Sequence, residues 1–239
     1  MTTPKELAAG AVVDVWRVAI PGLSPPSTAT LSPDEVRRLQ RRLGETDRRR
    51  ALAAWTSRRE ILSRYLGCAP RDVPLARDRN GRPFVQTGGS VLEHSMSHSG
   101  DWMMLAVSRS GPVGLDLEQV ERSIDVGRLA ARFFAREDVA AITALPRAER
   151  AEAFFRAWTE KEAYLKGSCG GVPSRLRSVR VRFDSRSGNR AVGNWSLHPI
   201  EAPAGYAACV AVQAGDVRIR TIDFLGPTLA SLGRESPRE

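Results

Sequence analysis

Two carboxylates on one apparent strand offer the clearest chemistry in this chain. Pro112-Val-Gly-Leu-Asp-Leu-Glu118 alternates, so Val113, Leu115 and Leu117 share one face and Gly114, Asp116 and Glu118 the other. Asp116 and Glu118 thus project side by side, and like charges so placed repel. A hard divalent cation relieves that repulsion. Mg2+, with Mn2+ as its substitute, takes oxygen ligands and commonly combines one or two carboxylates with substrate phosphates. Gly114 leaves room beside the pair for a ligand or another backbone. The solvated polar face of an edge strand would show the same alternation, so the pattern alone does not decide.

A second group completes the set. Residues 154–167 (FFRAWTEKEAYLKG) read as a helix, on which Trp158, Glu162 and Lys166 fall at i, i+4 and i+8 along one stripe. Glu162 offers a third carboxylate to a metal, Lys166 meets a phosphate oxygen one turn away, and Lys161 points partly aside. An exposed i,i+4 ion pair is the commoner meaning of Glu162 and Lys166 taken by themselves. Together, three carboxylates and a lysine suit chemistry at a pyrophosphate: the metal neutralises charge and polarises phosphorus, and the lysine stabilises the leaving phosphate. His98, between Ser97 and Ser99 at a turn, can meet a phosphate. His94, His98 and His198 have no zinc spacing among them.

The elements that must position these groups are legible in outline. Residues 11–20 are rich in β-branched residues and predict a strand. Ser32-Pro33-Asp34-Glu35 is a helix start with a capping box, and a longer helix runs from about Asp47 to Leu66, ended by Gly67. Asn80-Gly81 is a hairpin-type turn, with Pro83 favouring an edge position. Strands are expected at 91–97, 102–109 and 113–118, helices at 126–134, 137–145 and 147–167, and four strands near 178–183, 194–199, 206–213 and 217–224. The order strand, helices, strands therefore occurs twice. It predicts an α+β fold of two similar lobes, residues 1–110 and 111–225, followed by a polar tail at 226–239.

Composition narrows the class. Hydrophobic residues are 42% and charged residues 26% of the 239, as in ordinary water-soluble domains. No apolar run approaches the roughly 20 residues that cross a bilayer, and MTTPKELAAG lacks the apolar segment of a secretory signal. Cys68, Cys169 and Cys209 have no metal spacing and suit reduced thiols in the cytoplasm. The net charge of +9 favours an anionic partner. Between Arg37 and Arg64 stand ten arginines against Glu45, Asp47 and Glu60. A nucleic-acid-binding module is one alternative, though interleaved aromatics and groove-reading motifs are missing. A magnesium-dependent phosphohydrolase using the same carboxylates is the other.

Ser97-His98-Ser99-Gly100, Gly114-Leu-Asp-Leu-Glu118, Arg132-Phe133-Phe134 and Trp158-Thr-Glu-Lys-Glu-Ala-Tyr-Leu-Lys166, in this order, resemble the surfactin-synthetase-activating type of 4′-phosphopantetheinyl transferase. The resemblance covers roughly residues 30–183. It implies two α+β lobes related by a pseudo-twofold, with coenzyme A in the cleft between them and an acyl or peptidyl carrier protein as the second substrate. It implies Mg2+ on Asp116, Glu118 and Glu162, Lys166 on the transferred phosphate with Lys161 nearby, and His98 and Ser97 toward the 3′-phosphate. Gly81-Arg82-Pro83 matches a turn on the adenine end. Arg38, Arg50 and Arg59 match basic positions, and Glu137 matches an acid proposed to help deprotonate the attacking serine. The expected enzyme is cytoplasmic, monomeric, and binds neither nucleic acid nor membrane. The sequence departs from the family pattern at Glu35, where a related enzyme has a phosphate-binding lysine. It departs again at Glu93-His94-Ser95-Met96, where apolar-Phe-Asn-Leu is usual, and at Cys169-Gly170-Gly171.

Overall fold

Local chemistry sets the helix ends. The Ser32 hydroxyl accepts from the Glu35 amide at 3.3 Å while Glu35 Oε2 accepts from the Ser32 amide at 2.9 Å, the reciprocal box expected there. Gly67 stops the long helix at φ 66°, a left-handed conformation that glycine adopts without strain. The protein is described here by a computed structural model covering residues 11–22, 27–42, 44–79, 81–88, 92–168, 173–183, 190–213 and 217–226.

The elements in chain order are β1 (Ala11–Ala19), α1 (Pro33–Gln40), α2 (Glu45–Leu66), β2 (Leu75–Arg77), β3 (Pro83–Val85), β4 (Glu93–Ser99), β5 (Trp102–Ser108) and β6 (Val113–Gln119). Then follow α3 (Val126–Phe133), α4 (Arg136–Ala144), α5 (Arg147–Ser168), β7 (Arg182–Phe183), β8 (Arg190–Val192), β9 (Trp195–Pro199), β10 (Tyr206–Gln213) and β11 (Val217–Asp223). One sheet runs β11-β1-β5-β4, a second β6-β10-β9-β8-β7, and β2 pairs with β3 alone. The fold is α+β. Asn80 and Cys169-Gly170-Gly171 lie outside the described residues, as does the tail beyond Gly226.

Strand alternation explains the layering. On the first sheet Val18, Met103, Leu105 and Val107 face α2, where they meet Trp55, Ile61 and Leu62. Val13, Val15, Met104 and Ala106 face the other way, against Val113, Leu115, Leu117, Ala208, Val210 and Val212 of the second sheet. Cys209, Ala211 and Leu197 on the far side of that sheet meet Ala163 of α5. The order is therefore helix, sheet, sheet, helix, with a helix of 22 residues on each outer face. Burying each such Leu, Met or Val contributes about 1.5–3 kcal/mol.

Three expectations need correction. The segment 217–224, read as part of the second lobe, pairs in parallel with β1 in the first sheet, with Val13 opposite Ile219. Strand pairing thus crosses the boundary expected after residue 110. Among the described residues five strands, not four, follow α5, since β8 is present as well. Pro173–Ser178 forms a 3-10 turn, so the strand expected from 178 begins only at Arg182.

Candidate functional site

The alternation of β6 carries Asp116 and Glu118 onto the face that α5 covers, and glycine makes the approach possible. A Cβ on Gly114 would lie 1.8 Å from the Ala163 carbonyl oxygen and 2.7 Å from the Gly167 amide nitrogen. A Cβ on Gly167 would lie 2.5 Å from the Trp195 ring. The room beside the carboxylates is thus taken by another backbone. This contact brings the Glu162–Lys166 turn of α5 against β6.

Lys166 Nζ donates to Asp116 Oδ1 at 2.6 Å and to Ser97 Oγ at 3.0 Å, and Ser97 Oγ donates to the same Asp116 oxygen at 2.9 Å. Asp116 is 2% exposed, and its second oxygen, Oδ2, is buried with no hydrogen-bond partner. Glu118 is pushed up to about 7, first by burial and then by the Asp116 charge. Burial and Asp116 raise Glu162 too. Among the described residues, no group of three or more His, Cys, Asp or Glu closes into a metal cage. The carboxylates nevertheless fit a hard cation shared with a substrate. Asp116 Oδ2 lacks a partner, and mutual repulsion favours the arrival of positive charge.

Three serines of β4 stitch the two sheets together. β4 and β6 belong to different sheets. Ser95 Oγ accepts from the Leu115 amide at 2.9 Å, and Ser99 Oγ accepts from the Gln119 amide at 3.1 Å while donating to Glu118 Oε2 at 2.9 Å. Ser97 continues the same face by holding Asp116. Its hydroxyl thus organises the carboxylate–lysine pair. His94, Met96 and His98 alternate onto the opposite face. Burial, then Arg42, lowers the His98 pKa.

A cavity of about 390 Å³ is lined by Arg42, Arg58, Arg77, Arg82 and Lys166. Trp55, Pro83, Met96 and His94 supply its less polar walls. Of these five cations Arg42, Arg58, Arg82 and Lys166 each pair with one carboxylate (Asp47, Glu35, Glu93 and Asp116), and the N–H groups left over can serve an anionic ligand.

The comparisons with known proteins agree with this geometry. Residues 112–215 match the family model described as the 4′-phosphopantetheinyl transferase superfamily, and residues 26–110 match that of the 4′-phosphopantetheinyl transferase N-terminal region. The 4′-phosphopantetheinyl transferase HetI of Nostoc sp. is 32% identical over 209 residues, covering 84% of this chain and 87% of that protein. This chain belongs to the 4′-phosphopantetheinyl transferase family. The 4′-phosphopantetheinyl transferase psf-1 of Bacillus pumilus is 34% identical over 138 residues, 57% of either chain. The 4′-phosphopantetheinyl transferase Sfp of Bacillus subtilis strain 168 is 26% identical over 154 residues, covering 64% of this chain and 66% of that one.

In this transferase several residues singled out by the sequence lie elsewhere. Arg59 is 2% exposed; its Nε donates to Glu35 Oε2 at 2.8 Å and its Nη1 to the carbonyls of Pro70, Arg71 and Val73. Its guanidinium is used within the fold. Lys161 is 1% exposed, bound to Asp138 Oδ2 at 2.5 Å and the Val179 carbonyl at 3.0 Å, with its ammonium over the Phe134 ring. It fastens α4 to α5 and does not join Lys166. Arg50 pairs with Asp101 at 2.7 Å. Arg38 pairs with Asp34 at 3.0 Å and lies over the Trp55 ring, outside the cavity lining. Glu137 is exposed and paired with Arg180 at 2.6 Å, whose hydrogen bond lowers its pKa. Trp158 leaves its stripe to join Phe133, Phe134 and Phe154 in an aromatic cluster between α3 and α5. Arg82 and Pro83 do line the cavity.

Sequence reasoning missed Arg42, Arg58, Arg77 and His94. The departure at Glu35 held the signal for one of them. Glu35 Oε1 accepts from Arg58 Nη2 at 2.6 Å, so the acid anchors an arginine that lines the cavity. Burial would raise the Glu35 pKa, but the Ser32 amide, Arg58 and Arg59 outweigh it and the pKa falls.

Proposed function

We propose that this transferase moves the 4′-phosphopantetheine group of coenzyme A onto a serine of an acyl or peptidyl carrier protein. The serine oxygen forms a bond to the β-phosphorus, the bond from that phosphorus to the bridging oxygen breaks, and 3′,5′-ADP leaves. The observation that carries this reading is the buried Asp116. Its Oδ1 is held by Ser97 and by Lys166, which also lines the arginine-rich cavity, and among the described residues its Oδ2 has no hydrogen-bond partner. Mg2+ (or Mn2+) held by Asp116, Glu118 and Glu162 would neutralise the pyrophosphate and polarise the phosphorus.

The chain's own residues do the rest. Lys166 stabilises charge on the phosphate as the bond breaks. The cavity arginines take the anionic nucleotide end, with the Arg82-Pro83 turn against the base. Glu137, the acid to which the resemblance gives this role, takes the serine proton, since Glu162 is committed to the metal. The basic surface around it serves carrier docking. The ordered motifs and the presence of both halves in one chain support the surfactin-synthetase-activating type. We also propose that the enzyme acts in the cytoplasm as a monomer of two lobes related by a pseudo-twofold. No described helix is long and apolar enough to cross a membrane.

Binding to nucleic acid is disfavoured by the pairing of the α2 arginines. Arg48 pairs with Glu45 and Arg50 with Asp101, and Arg59 is buried against Glu35. The test is release of 3′,5′-ADP from coenzyme A and Mg2+ with and without an apo carrier protein. Release that requires the carrier serine supports transfer; equal release without carrier establishes a phosphohydrolase instead.

A further inference from the structure

Ser99 ends β4 with a hydroxyl that is bound twice to β6. Its Oγ accepts from the Gln119 amide at 3.1 Å, and its single proton goes to Glu118 Oε2 at 2.9 Å. Both partners are successive residues of the strand that carries Asp116, and they belong to the other sheet. The backbone amide fixes the hydroxyl oxygen, so the proton it offers to Glu118 has a fixed direction.

The turn after Ser99 is held as firmly. Gly100 has φ 53°, and a Cβ there would stand 2.6 Å from Gln119 Oε1 and closer still to the Tyr206 hydroxyl. The Asp101 amide donates to that hydroxyl at 3.2 Å, the Asp101 carbonyl accepts from the Ile20 amide at 2.9 Å, and the Asp101 carboxylate pairs with Arg50. Ser99 is therefore the immobile partner, and the longer Glu118 side chain is the one that could turn. Asp116 and Glu162 both repel the Glu118 charge, and the Ser99 hydroxyl holds it against them.

We propose that Ser99 is a positioning residue: it fixes the Glu118 carboxylate in the orientation in which, together with Asp116 and Glu162, it meets the divalent cation. This inference rests on the metal assignment made under the proposed function. Ser95 supplies the contrast. Its hydroxyl ties the same two strands through the Leu115 amide at 2.9 Å, and among the described residues it bonds no carboxylate.

The test is Mn2+ binding to the enzyme without coenzyme A, followed by electron paramagnetic resonance of the free ion. Ser99→Ala should weaken binding about tenfold, the usual loss when the hydrogen-bond partner of a metal ligand is removed. In transfer, the same variant should need about tenfold more Mg2+ for half its maximal rate. Ser99→Thr, which keeps the hydroxyl, should bind Mn2+ within about twofold of wild type. Ser95→Ala should lower the melting temperature yet keep Mn2+ affinity within about twofold, a separation that a merely structural role for these serines would not give. If Ser99→Ala fails to fold, Ser99→Cys, whose thiol is only a weak donor, carries the same expectation. Wild-type Mn2+ affinity in Ser99→Ala or its Cys replacement, an equal loss in Ser99→Thr, or an equal loss in Ser95→Ala overturns the inference and leaves the transferase reading intact. Failure of wild type to bind Mn2+ overturns the metal assignment with it.

Discussion

Lys166 Nζ and Asp116 Oδ1 stand 2.6 Å apart although 50 positions separate them in the chain. They meet because α5 rests directly on Gly114, between β6 and the helix backbone. Lys166→Met should reduce transfer by about 100-fold or more, the loss typical of one preorganised electrostatic contact. Steady-state kinetics with saturating coenzyme A and carrier checks this, and a loss under threefold would remove Lys166 from the reaction.

Gly114→Ala tests the approach itself. The added methyl would stand 1.8 Å from the Ala163 carbonyl, a rigid backbone atom. α5 must shift, taking Glu162 and Lys166 with it. Overpacking of this kind costs about 1–3 kcal/mol or more. Urea denaturation should show that loss together with a collapse in transfer. An alanine variant of wild-type stability and activity would contradict the close packing.

Metal-free stability should fall as pH rises toward neutrality. Glu118 has a folded pKa of about 7 against an ordinary 4.5, so the folded state holds more protons across that window. Stability is then lost as pH rises from about 4.5 through 7, the opposite of a salt-bridged carboxylate. Added Mg2+ should raise the melting temperature, and more so at pH 8 than at pH 5, because it favours the ionised form. Melting curves at the two pH values with and without Mg2+ decide it. A Mg2+ effect that is absent or larger at pH 5 would remove the metal from these carboxylates.

The strand face of Gly114, Asp116 and Glu118 was legible because its period of two is local, and so was the Ser32–Glu35 box. What stayed hidden was decided by partners far away in sequence. Lys161 and Glu162 are neighbours on one helix, yet Lys161 enters the core with Asp138 while Glu162 turns to Asp116. Helical spacing separates the two faces without saying what each meets. Arg59 matches a basic position of the family by its charge alone, and nothing local points to Glu35, 24 positions earlier, as its partner. The parallel pairing of β11 with β1 joins the two ends of the described chain, and no local pattern encodes it. Ser95 stands at a departure from the family pattern, and its hydroxyl accepts from the Leu115 amide across the two sheets.

Lys161→Met and Lys166→Met should therefore part company. Lys161 is buried with Asp138, whose side chain is 30% exposed and can regain water. Met at this position leaves Asp138 and the Val179 carbonyl without their donor, which costs about 1–3 kcal/mol of stability without touching the reacting groups. Transfer should stay within about threefold of wild type, a change of under 1 kcal/mol. A loss matching that of Lys166→Met would return Lys161 to the phosphate.

Removing Glu35 strands two buried guanidinium groups. Glu35→Ala should destabilise the fold by about 3–5 kcal/mol, the usual result of breaking a buried pair from one side. Chemical denaturation measures it. A change under 1 kcal/mol would mean that Arg58 and Arg59 find other partners at no cost.

The central claim is that carboxylates of β6 and α5 form the site at which phosphopantetheine is transferred. Intact-mass spectrometry of an apo carrier protein, incubated with coenzyme A, Mg2+ and the enzyme, tests it most directly. Wild type should add one phosphopantetheine to the carrier serine, and folded Asp116→Ala and Glu162→Ala should add none. No added mass on any of several acyl and peptidyl carriers, or full modification by either variant, would contradict the account.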